Sequence, residues 1–182
     1  MSYVEPIRDL EQVKNIAGYI RSHYGEKYYV MFAIGIYSGL RVSDILKLRV
    51  GDVRGRSNIS IREKKTGKAK QFPISADIRQ MLASYCSGKD DHEYLVPSPK
   101  KGKHVSRQYA YEIIRASGKE YGVDHLGTHT MRKTFGYHFY KQTKDIALLQ
   151  TLFNHSSQQI TLRYIGIVST DAAKAMSNMH FL

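Results

Sequence analysis

Cysteine is almost missing from this chain: Cys86 is the only one among 182 residues. A disulfide framework is thereby excluded, as is any zinc site built on thiolates, and the composition fits a reducing cytosol. Acidic residues are also short, 16 Asp and Glu against 28 Lys and Arg, which leaves a net charge of +12 at pH 7. The carboxylates present do not cluster, so nothing stands ready to hold Mg²⁺, and a metal-dependent nuclease is disfavoured. No apolar run reaches membrane-spanning length, and Met1-Ser2-Tyr3-Val4-Glu5 opens no signal-peptide apolar core. The expected setting is the cytoplasm, with no membrane partner. Internal repeats and low-complexity segments are absent too.

The excess positive charge is spread along the chain and forms no polybasic tail. A nucleic acid therefore fits it better than an anionic membrane surface. Hydrophobic residues make up 42% and charged residues 24%, as in ordinary soluble domains. The length suits one domain with a real core, taken as residues 1–182.

Helical spacing of Leu10, Val13, Ile16, Ala17 and Ile20, opened by Asp9 and Gln12 in the manner of a capping box, predicts a first helix to about His23. Gly25 breaks it. Tyr28 to Ile36 are apolar nearly all round, the pattern of a buried central helix, and Ser38-Gly39 closes that helix with a left-handed cap. Arg41 follows at once, before Ser43-Asp44 opens a short helix with Ile45, Leu46 and Leu48. The period then changes. Ile59 and Ile61, then Phe72 and Ile74, alternate around Glu63-Lys64-Lys65-Thr66-Gly67-Lys68, which predicts a β-hairpin with a lysine-rich tip. Ser75 and Asp77 start a helix through Tyr85, Leu95-Val96 forms a short strand, and Pro97 to Lys103 is a basic connector. Ser106 caps a helix with Tyr109, Ile113 and Ile114. Thr128 caps another that carries His129 and Arg132, and Ile146 to Phe153 make the next.

Candidate chemistry concentrates between Thr128 and Tyr164. His129 and Arg132 share a helix face, and His155 stands nine residues before Tyr164 among the turn formers Asn154, Ser156 and Ser157. Two imidazoles, a guanidinium and a phenol fit a site that handles a phosphate. Each also has an ordinary reading: His129 as a satisfied histidine on a packed helix, Tyr164 as one of 14 tyrosines. Arg41 reads either as a surface arginine beside a cap or as one rooted on rigid elements and aimed at a ligand. The hairpin tip reads as a solvated charged turn or as a reaching lysine.

Taken in order, Gly39-Leu40-Arg41-Val42-Ser43-Asp44, Lys65-Thr66-Gly67, His129-Thr130-Met131-Arg132 and His155-Ser156-Ser157 with Tyr164 nine residues on resemble the boxes of the tyrosine recombinase (phage integrase-like) family. The match runs from about residue 6 to Tyr164. Asn154 departs from it, standing where the family usually has glycine, but no functional group is lost. The resemblance implies an α+β fold, mainly helical, with a small antiparallel sheet. It implies a site-specific DNA recombinase or integrase that works through a covalent 3′-phosphotyrosyl intermediate without metal, ATP or any cofactor. Arg41 and Arg132 would stabilise the transition state, Lys65 would be the general acid, His129 the proton acceptor or a positioning group, His155 a further phosphate donor and Tyr164 the nucleophile. Asp44 props up its neighbourhood.

Alternatives are a type IB topoisomerase-like nicking and closing enzyme and a non-catalytic DNA-binding protein of the same fold. The implied partner is double-stranded DNA, with self-association into a dimer or tetramer and no small-molecule substrate. A separate N-terminal core-binding domain is not expected; the chain is either a small natural member of the family or a fragment of a longer one, and Met1 leans toward the first. Residues 169–182 are expected to form a tail helix, with Ala172, Ala175, Met176 and Met179 on one face; it folds back onto its own domain or, as the resemblance implies, docks on a neighbouring subunit.

Overall fold

The computed structural model describes residues 4–62 and 69–167, with side chains at all of them except 62, 69 and 70. The hairpin tip with Lys65, and the tail from 168 on, lie outside the described residues.

Eight α-helices and one two-stranded sheet are described: α1 (Leu10–Tyr19), α2 (Glu26–Ser38), α3 (Val42–Ile45), β1 (Asn58–Arg62), β2 (Ala69–Pro73), α4 (Ala76–Cys86), α5 (Arg107–Glu120), α6 (Thr130–Thr143), α7 (Ile146–Phe153) and α8 (Gln158–Tyr164). The expected α+β fold, mainly helical with a small antiparallel sheet, is what forms. None of the described helices is long and apolar enough to cross a membrane.

Asp9 caps α1 by accepting from the Glu11 N–H at 2.9 Å, so the carboxylate works alone and not in a box with Gln12. A π-helical turn, Ile20–Tyr24, carries α1 on to Gly25. As its composition requires, α2 is the central helix, with Tyr28, Val30, Met31, Phe32, Ala33 and Ile34 all buried. Gly39 ends it at φ 65°, a left-handed conformation that a Cβ disfavours. In β1 and β2, Ile59 pairs with Phe72 and Ile61 with Lys70, so the apolar face of the hairpin lies against the core. Leu95 and Val96 are fully buried but form no strand. They are tied instead by Leu95 N–H to Leu48 O at 2.8 Å and by Val105 N–H to Val96 O at 3.0 Å.

A second, smaller core holds Leu149, Phe153 and Ile165, with Phe135, Tyr164 and Ile167 packed on it. Gly136 is what lets α6 approach it: a Cβ there would lie 2.7 Å from Ile165 Cγ2 and 2.8 Å from Phe153 Cε2. The helix α6 therefore touches both cores, burying Met131 in the larger and packing Phe135 on the smaller.

Candidate active site

Arg41 is the N-cap of α3, in extended conformation, held between the left-handed turn at Gly39 and the buried Leu40 and Val42. The helix thus begins one residue earlier than Ser43-Asp44 suggests. The Arg41 side chain is exposed, and it lines a crevice with Leu40, Asp44, Ile61, Phe72, Arg132, Leu152 and Phe153. The hairpin forms one wall of this crevice and α7 another.

Arg132, in the first turn of α6, is 5% exposed. Its Nη1 donates to Gly39 O at 2.7 Å and its Nη2 to Phe153 O at 3.0 Å, while the guanidinium stands 4.1 Å from the Phe153 ring centroid. Two helix C-termini are therefore tied together by one cation, which satisfies carbonyls that have no intrahelical partner. Burial pulls its pKa down to about 10, against the opposing pull of Tyr164 and Asp44, and it stays cationic at neutral pH.

His129 does not lie within the helix. It is the N-cap of α6, with αR backbone and no capping side chain, and Thr128 does not cap. The reason is Thr130: its buried hydroxyl accepts from the Gly127 N–H at 2.9 Å, while its own N–H donates to Gly127 O. This knot presents the imidazole outward, with Nδ1 at 3.3 Å from the Tyr164 hydroxyl. Desolvation first, then the positive charges of Arg107, Lys133, Arg132 and Arg41, lowers its pKa below 6.5.

Asn154 takes the left-handed C-cap position of α7 at φ 54°, and the His155 N–H returns to Gln150 O at 3.1 Å. Asparagine is the non-glycine residue that tolerates this conformation, so the turn is kept. His155 Nδ1 is 3.1 Å from the Thr161 hydroxyl, whose proton is committed to Ser157 O at 3.1 Å. The Thr161 oxygen therefore accepts from Nδ1–H, which leaves Nε2 of the neutral ring as a bare acceptor. Its pKa is also lowered, by desolvation first and then by Arg132 and Arg41.

Tyr164 closes α8, a helix started by Ser157, whose hydroxyl accepts from the Ile160 N–H at 3.2 Å. Its ring meets His155 edge-on at 5.1 Å, Phe153 at 5.6 Å and His129 at 6.4 Å between centroids. Desolvation raises the phenol pKa, and the charges of Arg132 and Arg41 oppose that rise.

Of the six residues singled out from sequence, His129, Arg132, His155 and Tyr164 form one cluster. Arg41 shares the adjoining crevice with Arg132, and Lys65 lies outside the described residues. Three supporting residues were missed. They are Phe153 beneath Arg132, Thr161 behind His155, and Lys133, whose Nζ sits 5.2 Å from the Tyr164 ring centroid. A signal existed for two of them: Thr161 precedes Tyr164 by three residues on one helix face, and Lys133 adjoins Arg132.

The phage integrase family model matches residues 8–169. The probable integrase/recombinase YoeC of Bacillus subtilis (strain 168) is 44% identical over 167 residues, which cover 92% of each chain. The type 1 fimbriae regulatory protein FimE of Escherichia coli (strain K12) is 29% identical over 148 residues, covering 77% of this chain and 74% of its own. A crystal structure of XerA recombinase superposes with a TM-score of 0.77 at 21% identity, covering 100% of this chain and 68% of that one, a likeness of fold.

Proposed function

This chain belongs to the phage integrase family, and from that premise we propose that it is a site-specific DNA recombinase, a soluble cytoplasmic enzyme that cleaves and rejoins DNA strands through a covalent 3′-phosphotyrosyl intermediate. The observation that carries the reading is the Tyr164 hydroxyl, held 3.3 Å from an imidazole kept neutral and beside a buried arginine.

In the forward step the Tyr164 oxygen attacks phosphorus and its proton passes to His129 Nδ1. The bond from phosphorus to the 5′-oxygen breaks, and that oxygen takes a proton from Lys65. Arg41 and Arg132 face the non-bridging oxygens, where charge grows in the transition state. Arg132 is already fixed by two backbone carbonyls, so it reorganises little. His155 Nε2 turns from acceptor to donor by taking up a proton as the phosphate arrives, since a neighbouring anion raises an imidazole pKa. The phosphotyrosyl ester keeps the energy of the broken bond, so a second 5′-hydroxyl displaces Tyr164 by the reverse route without ATP or metal.

Many of the remaining lysines and arginines position double-stranded DNA through its phosphates. Residues 1–182 act as one catalytic unit, and several protomers assemble on DNA, with the tail from Ala172 to Leu182 docking on a neighbour.

The test begins with sequencing DNA crosslinked to the protein, which supplies the site. Two copies of that site on one plasmid are then offered to the purified chain. Exchange of the flanking segments is expected. Relaxation of supercoils without exchange selects the topoisomerase-like alternative, and binding with neither selects a non-catalytic role.

A further inference from the structure

Resting on that reading of Tyr164, we infer that residues 4–8 form a strap that positions the nucleophile, and that Arg8 is its positioning residue. The segment carries no regular structure, yet four of its backbone polar groups are tied to other parts of the fold. The Glu5 N–H donates to His125 O at 3.1 Å, the Ile7 N–H to the buried Thr134 hydroxyl at 2.9 Å, and His138 Nε2–H to Ile7 O at 3.0 Å. Ile7 itself is 1% exposed. The strap thus crosses α6 on the side chains of the same helix whose first turn carries Arg132.

Each end of this strap is tied to a residue near Tyr164. At one end Val4 O accepts from Lys133 Nζ at 2.6 Å, and that ammonium stands 5.2 Å from the centre of the Tyr164 ring. At the other, Arg8 Nη2 donates to Gly166 O at 3.0 Å, two residues beyond the nucleophile.

The turn that Arg8 holds is the C-terminal cap of α8. Gly166 is left-handed at φ 76°, and the Ile167 N–H returns to Leu162 O at 2.9 Å. Gly166 is buried, so its carbonyl needs a partner from elsewhere in the fold, and Arg8 supplies it. A Cβ on Gly166 would sit 3.1 Å from the Arg8 guanidinium and 3.5 Å from Pro6, so the contact is tight as well as polar. Arg8 is in turn aimed by Glu5 at 3.8 Å and by the Tyr137 ring at 5.4 Å.

A helix of seven residues has little stability of its own. Where its last residue points is decided by what fixes its two ends. Ser157 and the His155 turn fix the first, and the strap fixes the second. Displacing a reacting oxygen by about 1 Å costs on the order of 100-fold in rate, so Arg8 tunes cleavage without touching DNA or the phenol.

The experiment compares the full chain with Arg8→Ala and Arg8→Lys. One readout is single-turnover cleavage of a nicked duplex carrying the site recovered by crosslinking, with the dissociation constant for that duplex measured alongside. The other is amide hydrogen exchange over residues 158–167 in the free protein. Arg8→Ala is expected to cleave roughly 10- to 100-fold more slowly at saturating DNA, with a dissociation constant within about twofold of wild type and faster exchange at Gly166 and Ile167. Lysine still reaches the carbonyl, so Arg8→Lys recovers most of the rate. Unchanged cleavage in Arg8→Ala overturns the inference, as does a lysine variant no better than alanine. Exchange that quickens equally throughout the chain also overturns it, since that marks general loosening. If the wild-type chain makes no adduct, the recombinase reading fails, and the exchange readout alone then decides whether the strap holds α8.

Discussion

Arg41 and Arg132 are assigned the same chemical task, yet their loss should affect the fold very differently. Arg132 is buried and supplies a donor to Gly39 O at 2.7 Å and to Phe153 O at 3.0 Å. Replacing it with alanine deprives two buried acceptors at helix ends. An unsatisfied buried acceptor costs about 1–3 kcal/mol, so the pair is worth about 2–6 kcal/mol. The deletion also relieves a desolvated cation, whose burial is expressed in a pKa pulled down to about 10. That relief moves the expectation into the lower half, about 2–4 kcal/mol. For a chain of this size such a loss lowers the melting temperature by roughly 5–15 °C. Arg41 is exposed at the head of α3, and Arg41→Ala should stay within about 0.5 kcal/mol of wild type. Both variants should fail to cleave. Urea unfolding followed by far-ultraviolet circular dichroism, run on the three proteins side by side, reads the difference. Equal stabilities, or an Arg132→Ala chain within about 0.5 kcal/mol of wild type, would refute the claim that Arg132 joins the two helix ends.

Lys65→Ala should stop cleavage of ordinary DNA yet recover on a substrate whose bridging 5′-oxygen is sulfur, because a thiolate leaves without a proton; Arg41→Ala should gain nothing, and equal rescue of both removes Lys65 from the acid role. Gly136→Ala should destabilise by about 1–3 kcal/mol, since its Cβ meets Ile165 and Phe153, and thermal unfolding at the wild-type midpoint contradicts that packing. The folded-state pKa values of His129 and His155 are depressed, so just below pH 6.5 the unfolded chain binds protons that the folded one does not. Stability should therefore be full above that pH and fall as the pH drops through it, and a melting temperature that rises on acidification contradicts the shifts. DNA binding should take up a proton at His155, seen as a binding enthalpy that varies with buffer ionisation heat and loses that dependence in His155→Gln.

The sequence made some of this legible because local chemistry decides it. Gly39 ends an apolar helix, so Arg41 had to sit at a helix junction, and the alternation of Ile59, Ile61, Phe72 and Ile74 admits little besides a hairpin. Asn154 kept the turn because its side chain tolerates the left-handed region. The start of α6 was misplaced for a local reason too: Thr128 is a good capping residue, and only the contact of Thr130 with Gly127 leaves His129 at the cap instead. What stayed hidden depends on distant partners. The ties from Arg8 to Gly166 and from Lys133 to Val4 join residues more than a hundred positions apart, and no periodicity encodes them. The tautomer of His155 is set by Thr161 and Ser157 together, which no spacing rule reveals.

The central claim is that the Tyr164 oxygen, 3.3 Å from His129, is the attacking atom. It is tested most directly by trapping the protein on a nicked suicide duplex that carries its site, in the presence and absence of EDTA, and mapping the adduct by peptide mass spectrometry. A 3′-phosphotyrosyl linkage on the peptide holding Tyr164 is expected in both conditions, with Tyr164→Phe binding the duplex and forming none. An adduct on another residue, one that persists in Tyr164→Phe, or one that EDTA abolishes would contradict the account.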